Sequence, residues 1–229
     1  MEEILQVENL TKIYGKHEPR VVAVNDISFS VKKESFTAIV GKSGSGKTTL
    51  LNCIGGLERP TSGDVIVDGE RIYSLNDKNR TIFRRQKIGY VFQFFNLLSE
   101  MTVWENICIP SLIDKKQPDE QYIRDLVKQL GLTDKLSKYP AELSGGEQQR
   151  VAVTRALSIK PDILLADEPT GNLDRKNSNE LYELLLFSNR FFKQTILLVT
   201  HDLDMAYKAK RIITLEDGRI ISDTDKKGT

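Results

Sequence analysis

Three stretches of this chain hold residues whose types and spacing could act on a phosphate. Gly41 to Thr49 reads Gly-Lys-Ser-Gly-Ser-Gly-Lys-Thr-Thr and fits the pattern G-x-x-x-x-G-K-[ST]. Gly41, Gly44 and Gly46, with Ser43, Ser45 and Thr49 between and after them, let the backbone curl so that successive N–H groups face an anion. A helix beginning there adds the positive end of its dipole. Lys47 would reach the terminal phosphates and the Thr48 hydroxyl would bind Mg²⁺. The second stretch is Asp167-Glu168, which closes the apolar run Ile163-Leu164-Leu165-Ala166. Asp167 would hold Mg²⁺, directly or through water, and Glu168 would point at a water attacking the γ-phosphate. Two carboxylates that merely open a solvated loop are the alternative, and the phosphate loop upstream decides against it. The third stretch is Leu143-Ser144-Gly145-Gly146-Glu147-Gln148-Gln149-Arg150. Ser144 reads as a helix N-cap with Glu147 completing a capping box, and the two glycines leave N–H groups open to a phosphate. A chain with one phosphate loop has no obvious use for a second such helix end. Local spacing leaves open an ordinary capped helix.

The elements around these residues alternate. Ser35 to Val40 is an apolar run suited to a buried strand, and Lys47 to Leu57 carries Leu50, Leu51 and Ile54 at helical spacing. Before them, Ile4 to Val7, Val21 to Val24 and Ile27 to Val31 read as short strands. Val65 to Ile72 reads as a hairpin turning at Asp68-Gly69, and Ile88 to Gln93 as a strand. From about Phe94 to Tyr139 the pattern is helical. Thr102 to Glu105 forms a capping box, and a stripe of Tyr122, Ile123, Leu126, Val127 and Leu130 stops at Gly131. Strand-helix alternation resumes with Ile163 to Ala166, Asn177 to Phe192, Thr195 to Thr200 and Asp202 to Lys210. A hairpin from Arg211 to Ile221 turns at Asp217-Gly218. Apolar strands separated by helices imply a parallel sheet covered on both faces. Only the last few residues read as disordered.

With 229 residues the chain suffices for one well-cored α/β domain. Its net charge of +1, with both signs interspersed, gives no basic field for nucleic acid, and no nucleic-acid partner is expected. Arg84-Arg85-Gln86-Lys87 reads as a solvated face. Cys53 and Cys108 sit in apolar helical contexts and read as reduced core thiols. The acidic start lacks the features of a signal peptide, and no apolar run approaches the roughly 20 residues of a membrane span. Any action at a membrane needs spans from another chain.

Leu143 to Arg150 resembles the signature motif of ABC ATPases, and the family's other motifs follow in order. Tyr14 resembles the aromatic that stacks on adenine, Gln93 the Q-loop glutamine, Asn172-Leu173-Asp174 the D-loop, and His201 the switch histidine. The likeness covers almost the whole chain. It implies an α/β fold: a P-loop NTPase core with a mostly parallel sheet, an antiparallel β subdomain, and an inserted α-helical subdomain. The core would span about 1–93 and 156–229, and the insert about 94–155 with the signature motif. It also implies ATP and Mg²⁺ as cofactors, the metal held by Thr48, Gln93 and Asp167. Chains of this family pair head to tail, so Ser144, Gly145, Gly146, Glu147 and Gln148 would act in trans on ATP held by the partner's P-loop. His201 would position the attacking water with Glu168. Phe94, Phe95 and Trp104 are expected to pack the insert, with some of that surface available to a membrane partner.

Finer likeness, in Gly41 to Gly46, Val91 to Leu98 and Asp167 to Asp174, is to the LolD, MacB and FtsE subgroup. The resemblance thus implies an ATPase subunit paired with a second copy and with a membrane permease, cytoplasmic and peripheral on the inner face of the membrane. A soluble ABC protein of DNA repair or translation would share the motifs. Such chains carry coiled-coil arms, metal modules or two ATPase domains, and this one has none of these signs. Two departures stand out. Glu34-Ser35 replaces a frequent Gly-Glu, and Thr154 replaces a usual alanine.

Overall fold

The computed structural model describes residues 2–15 and 19–225, so the disorder expected at the last few residues lies outside the described part. The chain opens with two long antiparallel strands, β1 (Glu3–Tyr14) and β2 (Val21–Lys32). The runs expected as separate short strands, Val21 to Val24 and Ile27 to Val31, are one element. Asp26 between them takes φ 53 and shifts the alternation, which makes one bulged strand look like two.

The chain then enters a second layer through β3 (Phe36–Val40), every residue of which is buried, and turns into α1 (Lys47–Ile54). It returns to the first sheet as β4 (Ser62–Val67) and β5 (Glu70–Arg71), giving the order β2-β1-β4-β5. Their turn is the expected one: Asp68 and Gly69 both have positive φ, as a two-residue type I′ hairpin requires.

The helix α2 (Asp77–Lys87) was not expected. It buries no residue, so apolar periodicity could not announce it; the Asn76 side chain caps it by accepting from Asn79 N. Its basic end is not the solvated face foreseen. Arg84 donates to Gly56 O, Arg85 pairs with Asp114, and Lys87 reaches Asp162 at 2.8 Å and Asp68 at 3.3 Å.

After β6 (Ile88–Val91) comes the helical stretch: α3 (Val103–Ile113), α4 (Glu120–Gln129) and α5 (Gly145–Leu157). The Thr102–Glu105 capping box of α3 is present as read, and Gly131 follows α4 with φ 63. Then β7 (Ile163–Asp167), α6 (Arg175–Phe191), β8 (Thr195–Thr200), the single turn α7 (Leu203–Ala206), β9 (Arg211–Glu216) and β10 (Arg219–Asp225) complete the chain.

The six-stranded sheet runs β10-β9-β3-β8-β7-β6, parallel except for the β9–β10 hairpin. Side chains alternate between two cores. Phe36, Ala38, Val40, Leu164, Ala166, Ile196 and Leu198 face one, with α3 to α7. Ile39, Ile163, Leu165, Leu197 and Val199 face the other, with α1 and the antiparallel sheet. Coverage on both faces explains the continuous apolar runs. Each fully buried Leu or Ile contributes roughly 1.5–3 kcal/mol. The register pairs Val40 with Thr200, Asp167 with Val199 and Val91 with Ala166. The carboxyl ends of β3, β6, β7 and β8 are therefore level on one edge.

Candidate functional site

That edge carries a cavity of about 560 Å³ lined by Ala23, Ser43, Gly44, Gly46, Lys47, Thr48, Thr49, Gln93, Glu168, Gly171 and His201. Four of the five stretches that line it meet there because four parallel strands end there, as ligand sites of open α/β sheets do, and Ala23 of β2 joins them.

The loop after β3 is shaped by its neighbours. Gly46, the N-cap of α1, has φ 98, and a Cβ there would drive into the main-chain oxygen of Ala23. Only glycine fits such a close approach. The Lys47 side chain folds back over the loop and donates to Gly41 O at 2.8 Å and Lys42 O at 3.0 Å. Ser45 is buried, and its Oγ has no partner among the described residues. Gly41 lies against Leu215 O; it and Ser45 form the back of the loop and do not line the cavity.

Thr48 Oγ1 donates to Asp167 Oδ1 at 3.1 Å, bringing two hard oxygen donors together beside the loop. Burial raises the pKa of Asp167; the Thr48 hydrogen bond opposes this, the Glu168 charge adds to it, and Lys47 opposes it. A carboxylate desolvated in this way gains from a nearby cation. Among the described residues, no three or more His, Cys, Asp or Glu side chains are grouped to hold a metal. The Thr48 and Asp167 oxygens fit Mg²⁺, which keeps waters and substrate phosphates as ligands and needs few from protein.

Glu168 has φ 45, a left-handed conformation costly for a residue with a Cβ. Its N–H donates to Val199 O at 2.9 Å, and its carbonyl accepts from Gly171 N at 3.0 Å. The carboxylate Oε2 lies 2.7 Å from His201 Nδ1 and accepts from His201 N at 3.3 Å. Glu168 is thus held at 14% side-chain exposure, while His201, at 69%, stands open at the rim. The Gln93 amide lies against Gly171, and its main-chain oxygen accepts from Asn172 Nδ2 at 3.0 Å.

The family model described as ABC transporter matches residues 24–171. The dimeric structure of MJ0796, a bacterial ABC transporter cassette, is 38% identical with a TM-score of 0.89, covering 98% of this chain and all of that one. The same cassette in a dimeric post-hydrolysis state bound to ADP and Pi gives 38% and 0.88. The structure of cbiO1 from Clostridium perfringens, part of the ABC transporter complex cbiONQ, is 28% identical with a TM-score of 0.86, covering 99% of this chain and 90% of that one. The chain belongs to the ABC transporter ATPase family.

Other residues expected from ABC ATPase motifs lie outside the cavity. Ser144 caps α5 by accepting from Glu147 N at 3.3 Å, and Glu147 Oε2 accepts from Ser144 N at 2.8 Å. Glu147 also pairs with Lys135 at 3.3 Å. Ser144 and Gly145 are exposed, and Gln148 donates to Leu143 O. None of Ser144 to Gln148 lines the cavity. Asp174 is the N-cap of α6, accepting from Asn177 N at 2.8 Å and Asn177 Nδ2 at 3.0 Å, so this helix begins earlier than Asn177.

Tyr14 is half-exposed beyond the cavity lining. Its hydroxyl donates to Glu58 Oε2, and Lys12 Nζ sits 5.0 Å over the ring. One face of the ring is therefore already taken. Trp104 packs against the helical core as read, but Phe94 does not, being 68% exposed. Sequence reasoning missed two neighbours of the site. Ala23 contributes a main-chain oxygen, which no side-chain pattern reveals. Asn177 packs on Gly146 so closely that a Cβ there would strike its Oδ1.

Proposed function

We propose that this chain is the ATP-hydrolysing subunit that energises a separate membrane permease, working as a head-to-tail pair of copies. The observation that carries this reading is the level edge of β3, β6, β7 and β8, which gathers the P-loop, Glu168, His201 and Gln93 around one cavity, with Asp167 bonded to Thr48 beside it. The N–H groups of Gly41 to Thr49 bind the phosphates, and Lys47 exchanges its contacts with Gly41 and Lys42 for the β- and γ-phosphates. Tyr14 offers its free face to the adenine. Thr48, Asp167 and Gln93 hold Mg²⁺. The ion when bound supplies neutralisation of the charge developing on the phosphates.

Glu168, oriented by His201, accepts the proton of the attacking water. With Nδ1 committed to Glu168, His201 has Nε2 left for the γ-phosphate. Ser144, Gly145, Gly146, Glu147 and Gln148 stand apart from their own chain's cavity, which fits a role on the nucleotide of a partner copy. Asp174, capping the helix packed on Gly146, lies on the same side of the reading.

The chain divides into a core of about 1–93 and 156–229 and a helical insert of about 94–155. No helix among the described residues is long and apolar enough to cross a membrane, so the permease supplies the spans. The exposed side chains of Phe94 and Leu98 offer it apolar contacts just after Gln93. The subunit would then sit on the cytoplasmic face, and its subgroup likeness allows lipoprotein release, peptide or drug export, or mechanical signalling without transport. Purification from native membranes tests this reading. An integral permease should copurify; nucleic acid or ribosomes in its place would overturn it.

A further inference from the structure

The segment after Gln93 is held from behind by one arginine. Arg155 lies near the end of α5, and its guanidinium donates to the main-chain oxygens of Phe95, at 3.0 Å, and Asn96, at 2.7 Å. Burial lowers its pKa, and no carboxylate contributes to the shift. A half-buried arginine whose recorded bonds all go to carbonyls is committed to those carbonyls. Its planar fork holds two acceptors in one fixed geometry, which the rotatable donors of an ammonium do not impose. Asn96 takes φ 49, so the clamp falls on a left-handed residue.

The same segment is fastened at its other end. Gln93 is bonded through its own oxygen to Asn172 and rests its amide on Gly171, at the cavity. Beyond the clamp, the buried Asn106 side chain accepts from Leu98 N at 2.8 Å and donates to Leu98 O at 3.0 Å. Residues 93–98 are therefore fixed to the cavity wall on one side and to α5 and α3 on the other. Ser144 starts the helix on which Arg155 sits, about 16 Å away at the helical rise per residue.

We propose that Arg155 is a positioning residue. It locks the segment after Gln93 to α5, so that a movement of Gln93 at the nucleotide displaces the Ser144 end of that helix as one body. The inference rests on the reading of Gln93 as part of the hydrolytic site.

The test is a kinetic cycle on the full chain with Gln93→Ala, Arg155→Ala and the double variant, each checked by thermal melting. Arg155 touches no part of the cavity, so Arg155→Ala should keep KM for ATP within about twofold while kcat falls tenfold or more. Arg155→Lys, which keeps a charged donor but not the rigid fork, should recover part of kcat. The double variant should turn over no more slowly than Gln93→Ala alone. If Arg155→Ala does not fold, Arg155→Lys takes its place in the cycle. Losses that multiply in the double variant, or an unchanged kcat in Arg155→Ala, would overturn the inference. Full turnover in Gln93→Ala would remove the reading of Gln93 itself, and this inference with it.

Discussion

Lys47 Nζ donates a 2.8 Å hydrogen bond to the main-chain oxygen of Gly41, the first residue of its own loop. A second bond, to Lys42 O at 3.0 Å, completes a ring that keeps the loop curled with no phosphate needed. The lysine thus organises the cradle as well as offering charge to a ligand. Lys47→Ala should lose nucleotide binding and hydrolysis together and should also melt lower without nucleotide, because two oxygens in the loop lose their donor. Equilibrium binding and a melting curve decide it; hydrolysis at the normal rate would refute the assignment.

Glu168→Gln keeps the size and one acceptor for His201 but removes the base. A positioned base typically contributes ~10²–10⁴-fold in rate, so turnover should fall by that order while ATP binding survives. ATP should then accumulate in a closed pair of copies. Light scattering with ATP should show dimer; monomer alone would contradict the role given to Glu168.

Asp167 gives a pH prediction whose sign follows from its burial. Its folded pKa lies above the ordinary aspartate value, so the charged form costs stability. Between the unfolded and folded values the native chain holds more protons, and stability falls as pH rises through that window. The cost stays in full above it and vanishes below the unfolded value. Asp167→Asn, which still accepts from Thr48, should therefore melt higher than the natural chain at neutral pH, with the gap closing in acid. The variant should lose the extra stabilisation that Mg²⁺ adds to ATP. Equal melting temperatures at neutral pH would contradict the argument.

Much of this was legible in the sequence because it is repeated in periodicity and capping. The runs at Phe36, Ile163 and Thr195 are mostly apolar since both faces of the sheet are covered, and the boxes at Thr102 and Ser144 mark their helix starts. Helix α2 was not legible, because Ile82 and Phe83 are too few apolar residues to set a period, and ion pairs such as Arg85–Asp114 add to the hold that Phe83 gives it. The exposure of Phe94 was equally hidden: an aromatic pair says nothing about which ring faces water. In the site, Lys47, Thr48 and Asp167 were readable from spacing. Arg155 was not, since it acts on main-chain oxygens that no local motif names, and neither was Asn177, whose packing on Gly146 joins two separate helices.

Glu34 stands where a glycine is frequent in the family, and its φ of 60 shows why. A left-handed residue with a Cβ costs roughly 1–2 kcal/mol, of which glycine returns a part to the entropy of the unfolded chain. Glu34 also pairs with Lys193 at 3.8 Å, an exposed contact worth little. Glu34→Gly should therefore stabilise the chain by about 0.5–1 kcal/mol, or about 1–4 °C in Tm for a domain of this size. ATP turnover should be unchanged, as Glu34 lies at the opposite end of β3 from the P-loop. A lower Tm would show that the Lys193 pair outweighs the backbone.

Ser144 separates chemistry within one copy from chemistry shared between two. It caps a helix whose first residues, Gly145 and Gly146, leave N–H groups for an anion, yet it lies outside the cavity of its own chain. Ser144→Arg should leave ATP binding by the single copy almost intact, because nothing at the P-loop changes. It should abolish turnover, because a bulky cation at the helix start blocks closure on a partner's γ-phosphate. Mixing this variant with Lys47→Ala should restore part of the activity. In a mixed pair one site joins the intact Lys47 of one copy to the intact Ser144 of the other, while the second site carries both defects. Subunit exchange is verified first by a tagged pull-down. If mixed pairs form and no hydrolysis returns, the two sites must fire together or the shared site is wrong, and full activity in Ser144→Arg alone rules the shared site out.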